Sequence, residues 1–157
     1  LAKENGVHVL VIYPEMKLQE GGFEITCIQP EKRFAGEIGN ASSMVLELRY
    51  KAFRMLCTGD VEEIGEELLL EQIKEETYPV LKVSHHGSKN STKEELLNEI
   101  QPKIALISAG KDNRYGHPHQ ETLERLRKIG AAVYSTVECG AITVKSDGNT
   151  VSVEGFH

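Results

Sequence analysis

Pro79-Val80-Leu81-Lys82-Val83-Ser84-His85-His86-Gly87-Ser88-Lys89 is the stretch on which the reading of this chain turns. A short apolar, β-branched run stops at two histidines, a glycine and a serine, the pattern of a buried strand that delivers imidazoles to a pocket at its end. It predicts one half of a metal site. Two signals of the same kind flank it, Thr58-Gly59-Asp60 upstream and Gly116-His117-Pro118-His119 downstream, each after another strand-like run.

On either side the pattern predicts strands over 7–13, 23–28, 44–50, 52–57, 103–109, 131–135, 141–145 and 151–153. Leu18-Gln19-Glu20-Gly21-Gly22 reads as a turn, Tyr50-Lys51 as a tight hairpin, Asp147-Gly148-Asn149 as another turn, and residues 31–40 as a polar surface loop. Ile64, Leu68 and Ile73, with Leu69 and Leu70 between them, predict an apolar helical stripe. Two overlapping capping boxes in Ser91-Thr92-Lys93-Glu94-Glu95 open a short helix carrying Leu96, Leu97 and Ile100. Pro118 suits the first position of a third helix bearing Leu123, Leu126 and Ile129, with Arg125, Arg127 and Lys128 in its last turn and Gly130 beyond. Strands come first and then alternate with helices, which predicts an α/β fold: a mixed sheet with helices on one outer face.

The chain has 157 residues and is 39% hydrophobic, the size of one domain with a real core. Its formal net charge is −6. Residues 61–76 hold seven glutamates (Glu62, Glu63, Glu66, Glu67, Glu71, Glu75 and Glu76) against Lys74, which equals the whole imbalance. We read that acid as one solvated helix face. The remainder is balanced, so net charge does not argue against nucleic acid as a partner. Cys27, Cys57 and Cys139 are odd in number, far apart and set among apolar residues. They read as core thiols, neither a disulfide framework nor a thiolate zinc site. No apolar run approaches the roughly 20 residues that span a bilayer, and no signal peptide opens the chain. It begins at Leu1, not Met, opens on the strand-like run 7–13, and reads as a soluble piece of a longer polypeptide.

Asp60, His85, His86, His117 and His119 all fall at predicted strand ends or helix starts. Carboxylate with imidazole suits zinc, manganese or iron. Taken singly, an Asp after Gly is ordinarily a turn or cap, and a lone His an ordinary core or surface residue. Four of the six histidines, however, stand in two loops that follow neighbouring strands; His8 and His157 have no such context. Ser84 and Ser88 read as strand-end caps that orient the imidazoles.

Thr-Gly-Asp after a hydrophobic strand, Val-Ser-His-His-Gly-Ser before a Ser-Thr helix start, and Ile-Ser-Ala-Gly-Lys-Asp-Asn-Arg-Tyr-Gly-His-Pro-His together resemble the metallo-β-lactamase-like domain of ComEC-type competence proteins. Asn40-Ala-Ser-Ser-Met-Val-Leu and Tyr134-Ser-Thr-Val-Glu-Cys-Gly-Ala-Ile fit the same pattern, and the resemblance runs from about Gly6 to Val153. It implies the soluble C-terminal domain of a bacterial cytoplasmic-membrane DNA-uptake channel, hydrolysing the DNA single strand that is not imported. It further implies two divalent ions, zinc or manganese, with Asp60 bridging them and His86 as a ligand. His85 would be a proton donor or support a ligand. His117, with Asn113 and Tyr115, would face the scissile phosphate, and His119, Lys111 and Arg114 would contact substrate.

The chain departs from the family in one respect. The superfamily takes most ligands from a His-x-x-x-Asp-His type motif in the first half of the domain, and this chain has none. Residues 1–157 therefore read as the C-terminal half of a metallo-β-lactamase-like αβ/βα sandwich, unable to hold two metals or hydrolyse anything alone. An exposed sheet edge and apolar face would favour a homodimer. Two other readings stand beside the nuclease: a same-fold hydrolase of a small phosphodiester such as a choline-phosphate ester, and a noncatalytic scaffold module.

Overall fold

The computed structural model describes residues 1–31, 39–74 and 76–156. Gly21-Gly22 turns β1 (Lys17–Glu20) into β2 (Phe23–Gln29), and Lys51-Ala52 turns β3 (Val45–Tyr50) into β4 (Phe53–Cys57). Turns this short leave only antiparallel pairing open. From β4 onward each link contains helix: α1 (Ile64–Gln72) leads to β5 (Val80–Lys82), α2 (Glu94–Ile100) to β6 (Ile104–Ile107) and α3 (Gln120–Lys128) to β7 (Ala132–Ser135). These crossovers make β4, β5, β6 and β7 mutually parallel. The result is one mixed seven-stranded sheet in simple sequential order, β1 to β7. A short α4 (Thr136–Cys139) then leads to a separate hairpin of β8 (Ala141–Ser146) and β9 (Val151–Phe156).

One face of the sheet carries the core. Val45, Leu56, Leu81, Ala105 and Ile107 from its strands pack with Leu69, Ile73, Leu96, Leu97, Ile100 and Leu126 from the helical segments, all buried. Each such side chain contributes roughly 1.5–3 kcal/mol of burial free energy. Strand alternation sends Leu46, Leu48, Met55, Cys57, Ile104 and Tyr134 to the opposite face. The hairpin tip reaches back to the β3–β4 turn, where Gly148 O accepts from Ala52 N at 2.9 Å and Asp147 O from Lys51 Nζ at 3.0 Å.

Several expectations need correction. Residues 7–13 form no strand, and Val7, Val9, Leu10 and Val11 are all exposed. The sheet ends at β1 and β7 without pairing to this run, and an apolar run alone does not make a strand without a neighbour. Part of the expected turn, Leu18, Gln19 and Glu20, instead belongs to strand β1. The helical stripe is displaced: Ile64 is 45% exposed, while Gly65, Glu66, Leu69 and Ile73 are buried. The acidic face is accordingly not uniformly solvated, since Glu66 is only 1% exposed. The capping boxes do not cap α2, whose N-cap is Lys93; Ser91 and Thr92 turn inward, and Glu66 accepts from the Thr92 and Lys93 amides just ahead of the helix. Pro118 lies two residues before α3, whose N-cap is His119. Cys27 is a buried thiol, Cys57 and Cys139 are half-buried, and all three are free. Of the expected surface loop, residues 32–38 lie outside the described residues, as do Glu75 and His157.

Candidate functional site

Because β4, β5 and β6 are adjacent and parallel, the segments following them leave the sheet at the same end. Crevices at the carboxyl ends of such strands are where open α/β sheets bind ligands. Thr58-Gly59-Asp60 follows β4, the His-His turn follows β5, and the loop to His119 follows β6. The sequence-predicted Asp and four histidines are thereby brought together.

The β5 turn is held open by an unusual backbone. His85 (φ 41°) and His86 (φ 55°) are both left-handed, which costs a non-glycine residue roughly 1–2 kcal/mol. Hydrogen bonds on every side offset that cost. His85 N donates to Gly59 O at 3.0 Å, and Ser91 Oγ donates to Ser84 O and Ser88 O, each at 3.1 Å. Ser84 Oγ donates to Thr58 Oγ1 at 2.7 Å, and that hydroxyl donates to Lys82 O at 2.7 Å. Ser84 thus ties the turn to the Asp60 loop. Gly87 follows at φ 84°, where a Cβ would stand 2.7 Å from Pro118 Cβ, so the turn and the start of α3 meet only because position 87 has no side chain. His119 N donates to Gly87 O across that junction at 2.9 Å.

The rings form one cluster. Centroids lie 6.1 Å apart for His85 and His86, 5.4 Å for His85 and His117, 6.3 Å for His86 and His117, and 4.8 Å for His117 and His119. Their partners assign the ring protons. His86 Nδ1 is 2.5 Å from Ser108 O, and a carbonyl only accepts, so Nδ1 carries hydrogen. His86 Nε2 is left toward Asp60 Oδ1, 3.8 Å away. His119 is the reverse: its Nδ1 accepts from Lys89 N–H at 3.2 Å, which places the neutral ring's hydrogen on Nε2. His85 Nδ1 lies 2.7 Å from Glu62 Oε1. Burial, followed by the charges of His119, His85 and His86, holds the His117 imidazolium below the usual histidine range. Burial raises the Glu62 carboxyl, but hydrogen bonds from Ser88, His85 and Asn40 outweigh it and hold it below the usual carboxylate range.

The loop after β6 is built on Asn113. Its Nδ2 donates to Gly110 O at 2.8 Å and His117 O at 2.6 Å, and its Oδ1 accepts from Tyr115 N at 3.2 Å and His117 N at 3.0 Å. The whole amide is engaged with loop backbone, so Asn113 shapes the approach to His117. Lys111, Arg114 and Tyr115 are exposed, with the Arg114 guanidinium 4.7 Å over the Tyr115 ring and that ring stacked on His117 at 5.7 Å. Sequence reasoning missed Glu62 and Asn40, because Glu62 was absorbed into an acidic run and Asn40 into a loop. The available signal was that Glu62 stands two residues beyond Asp60 and precedes α1.

Among the described residues, no group of three His, Cys, Asp or Glu side chains is disposed to hold one metal ion, and no helix is long and apolar enough to cross a membrane. No family model matches the chain. It is 38% identical over 141 residues to ComE operon protein 3 of Bacillus subtilis (strain 168), a match covering 90% of this chain and 18% of that protein. Identity to Recombination protein 2 of Haemophilus influenzae is 36% over 105 residues, 67% of this chain and 13% of the relative. For Competence protein ComA of Neisseria gonorrhoeae it is 32% over 129 residues, 82% of this chain and 18% of the relative. The chain therefore spans less than a fifth of the length of each of these relatives. Across that span it is related in sequence to competence-related proteins of the ComEC type.

Proposed function

We propose that this chain contributes the C-terminal share of a divalent-metal phosphodiester hydrolase, a DNA nuclease serving competence-related DNA uptake, within a metallo-β-lactamase-like domain. The observation that carries this reading is the convergence of Asp60, His85, His86, His117 and His119 at the ends of three adjacent parallel strands. Carboxylate and imidazole are donors that zinc and manganese accept. His86 has the support expected of a ligand, with Nδ1–H on a backbone carbonyl and Nε2 free to face Asp60. Two such side chains do not close a coordination shell, and the remaining ligands belong to a part of the longer protein outside this sequence. Divalent ions bound there would acidify a water and stabilise charge on phosphoryl oxygens.

The chain's own residues supply the rest. His119, with hydrogen on Nε2, is set to donate to a phosphoryl oxygen, and His117 stands 4.8 Å from it at the loop's end. Lys111 and Arg114 offer positive charge to a phosphate backbone, and Tyr115, 60% exposed, offers a ring face to an unpaired base. The substrate is then single-stranded DNA, and the membrane channel lies in the remainder of the polypeptide.

The test compares cleavage of single-stranded DNA with that of a small chromogenic phosphodiester, in manganese and in zinc. It uses the longer polypeptide that carries this chain and the chain by itself. We expect the longer protein to cut DNA, Asp60→Ala or His86→Ala to abolish cutting, and the chain alone to cut nothing. Preference for the small ester would replace the nuclease reading with that of a small-phosphodiester hydrolase, and cleavage by the chain alone would refute its being a partial site.

A further inference from the structure

β6 and β7 stay in register as far as Ile107 and Ser135, where their ladder ends. Ser135 Oγ accepts from Val137 N at 3.3 Å and starts α4, so the β7 backbone turns away before it can pair with Ala109. The Thr136 hydroxyl takes that place. Ala109 N donates to Thr136 Oγ1 at 2.9 Å, and the hydroxyl donates back to Ala109 O at 2.8 Å. One side chain thus satisfies both backbone groups of a residue just beyond the sheet.

The Ala109 N–H belongs to the same planar peptide unit as the Ser108 carbonyl, so a bond that fixes the one fixes the direction of the other. Ser108 O is the acceptor 2.5 Å from His86 Nδ1. An unbroken path therefore leads from Thr136 Oγ1 through the Ser108–Ala109 peptide to the His86 ring, and hydrogen bonds at the two ends of one peptide unit strengthen each other. The His86 side chain is 49% exposed, so packing alone does not hold its ring. A half-turn of that ring would carry Nδ1 off the carbonyl and Nε2 away from Asp60 Oδ1, 3.8 Å from it.

We propose that Thr136 is a positioning residue for His86: by fixing the Ser108–Ala109 peptide, its hydroxyl sets the direction in which the ring presents Nε2. The end of β7 thereby joins the ends of β4, β5 and β6 in building the site, acting through the backbone that leaves β6. That His86 offers Nε2 to a divalent ion rests on the function proposed above, whereas the path from Thr136 to the ring does not.

Thr136→Val keeps the shape of the side chain and removes its hydroxyl, Thr136→Ser keeps the hydroxyl, and Arg54→Ala, toward the other end of β4, controls for loss of stability alone. In Thr136→Val we expect hydrogen exchange at the Ala109 amide to be roughly 10-fold faster. A crystal structure of that variant should show the His86 ring displaced from Ser108 O or divided between two orientations, and Thr136→Ser and Arg54→Ala should keep it in place. Calorimetric titration of the longer polypeptide with zinc ions should show affinity lowered roughly 10- to 100-fold by Thr136→Val, largely recovered in Thr136→Ser and unchanged in Arg54→Ala. A His86 ring still on Ser108 O in Thr136→Val overturns the proposal, as does an equal loss of zinc affinity in Arg54→Ala, or a crystal structure of the unmodified chain with His86 Nδ1 turned away from Ser108 O. If the ring moves as described and His86→Ala leaves zinc affinity unchanged, the reading of His86 as a metal ligand falls and its positioning by Thr136 stands.

Discussion

Glu66 Oε2, in the first turn of α1, accepts a 2.7 Å hydrogen bond from the backbone N–H of Thr92, and its other oxygen accepts from Lys93 N at 2.5 Å. One buried carboxylate thus terminates the segment that begins at the histidine turn. Glu66→Ala leaves two inward-facing amides unmet, at roughly 1–3 kcal/mol each. We expect the melting temperature to fall by roughly 5–15 °C in a thermal scan.

The same carboxylate should tilt the pH dependence of stability. Burial raises the Glu66 carboxyl, against the opposing hydrogen bonds from Lys93 and Thr92. The folded state therefore binds this proton more readily than the unfolded chain, whose value is near 4.5. Glu66's contribution to stability is fully present below that value and is lost as pH rises through the raised folded value. Urea unfolding across this window should show a slope that Glu66→Gln removes.

Gly87→Ala tests the junction between the histidine turn and α3. Alanine at φ 84°, with its Cβ 2.7 Å from Pro118 Cβ, should cost about 2 kcal/mol or more. The larger effect should be local, with hydrogen exchange faster at the His119 amide, which bonds to Gly87 O.

His117 should titrate below 6.5 in an NMR pH series, because burial and the neighbouring imidazoles disfavour its charged form. Its folded value lies below the unfolded one, so its contribution is present above the unfolded value and lost as pH falls. His119→Gln removes one of the repelling rings and should raise the His117 midpoint.

Arg54 presents its guanidinium to Glu47 Oε1, 3.0 Å from Nε and 2.8 Å from Nη2, and also pairs with Glu76. Glu47 is 8% exposed. Arg54→Ala should strand that carboxylate beside Arg49 alone and cost roughly 2–3 kcal/mol, below the full penalty of a buried pair because Arg54 is partly solvated. Glu47→Gln in the same background should return part of the loss in a double-mutant cycle.

The strand-to-loop transitions at Cys57, Val83 and Ile107 were legible because an apolar run ending in Gly, His or Ser announces both a buried strand and its end. The four convergent histidines were legible for the same reason. Glu62 and Glu66 were not, because a glutamate at helical spacing carries no mark of the partner it meets. His85 stands 23 residues beyond Glu62, and Thr92 stands 26 beyond Glu66. Residues 7–13 show the converse failure: β-branched composition is local, whereas a strand is a property of two chains side by side. Ser91 and Thr92 had the right spacing for capping boxes, but their hydroxyls bind the histidine turn, at Ser84 O and Ser88 O for Ser91 and Ser84 N for Thr92, and α2 starts two residues later.

The clasp between Lys51 and the Asp147 carbonyl joins residues 96 positions apart. Bringing such ends together costs roughly 4 kcal/mol of chain entropy beyond a constant, so this contact forms only after shorter-range structure is in place. Asp60 to His119, by contrast, are all present in the nascent chain before residue 141 is made. The histidine cluster can assemble during synthesis while the C-terminal hairpin is still to emerge, which makes the hairpin a final latch across an already assembled sheet.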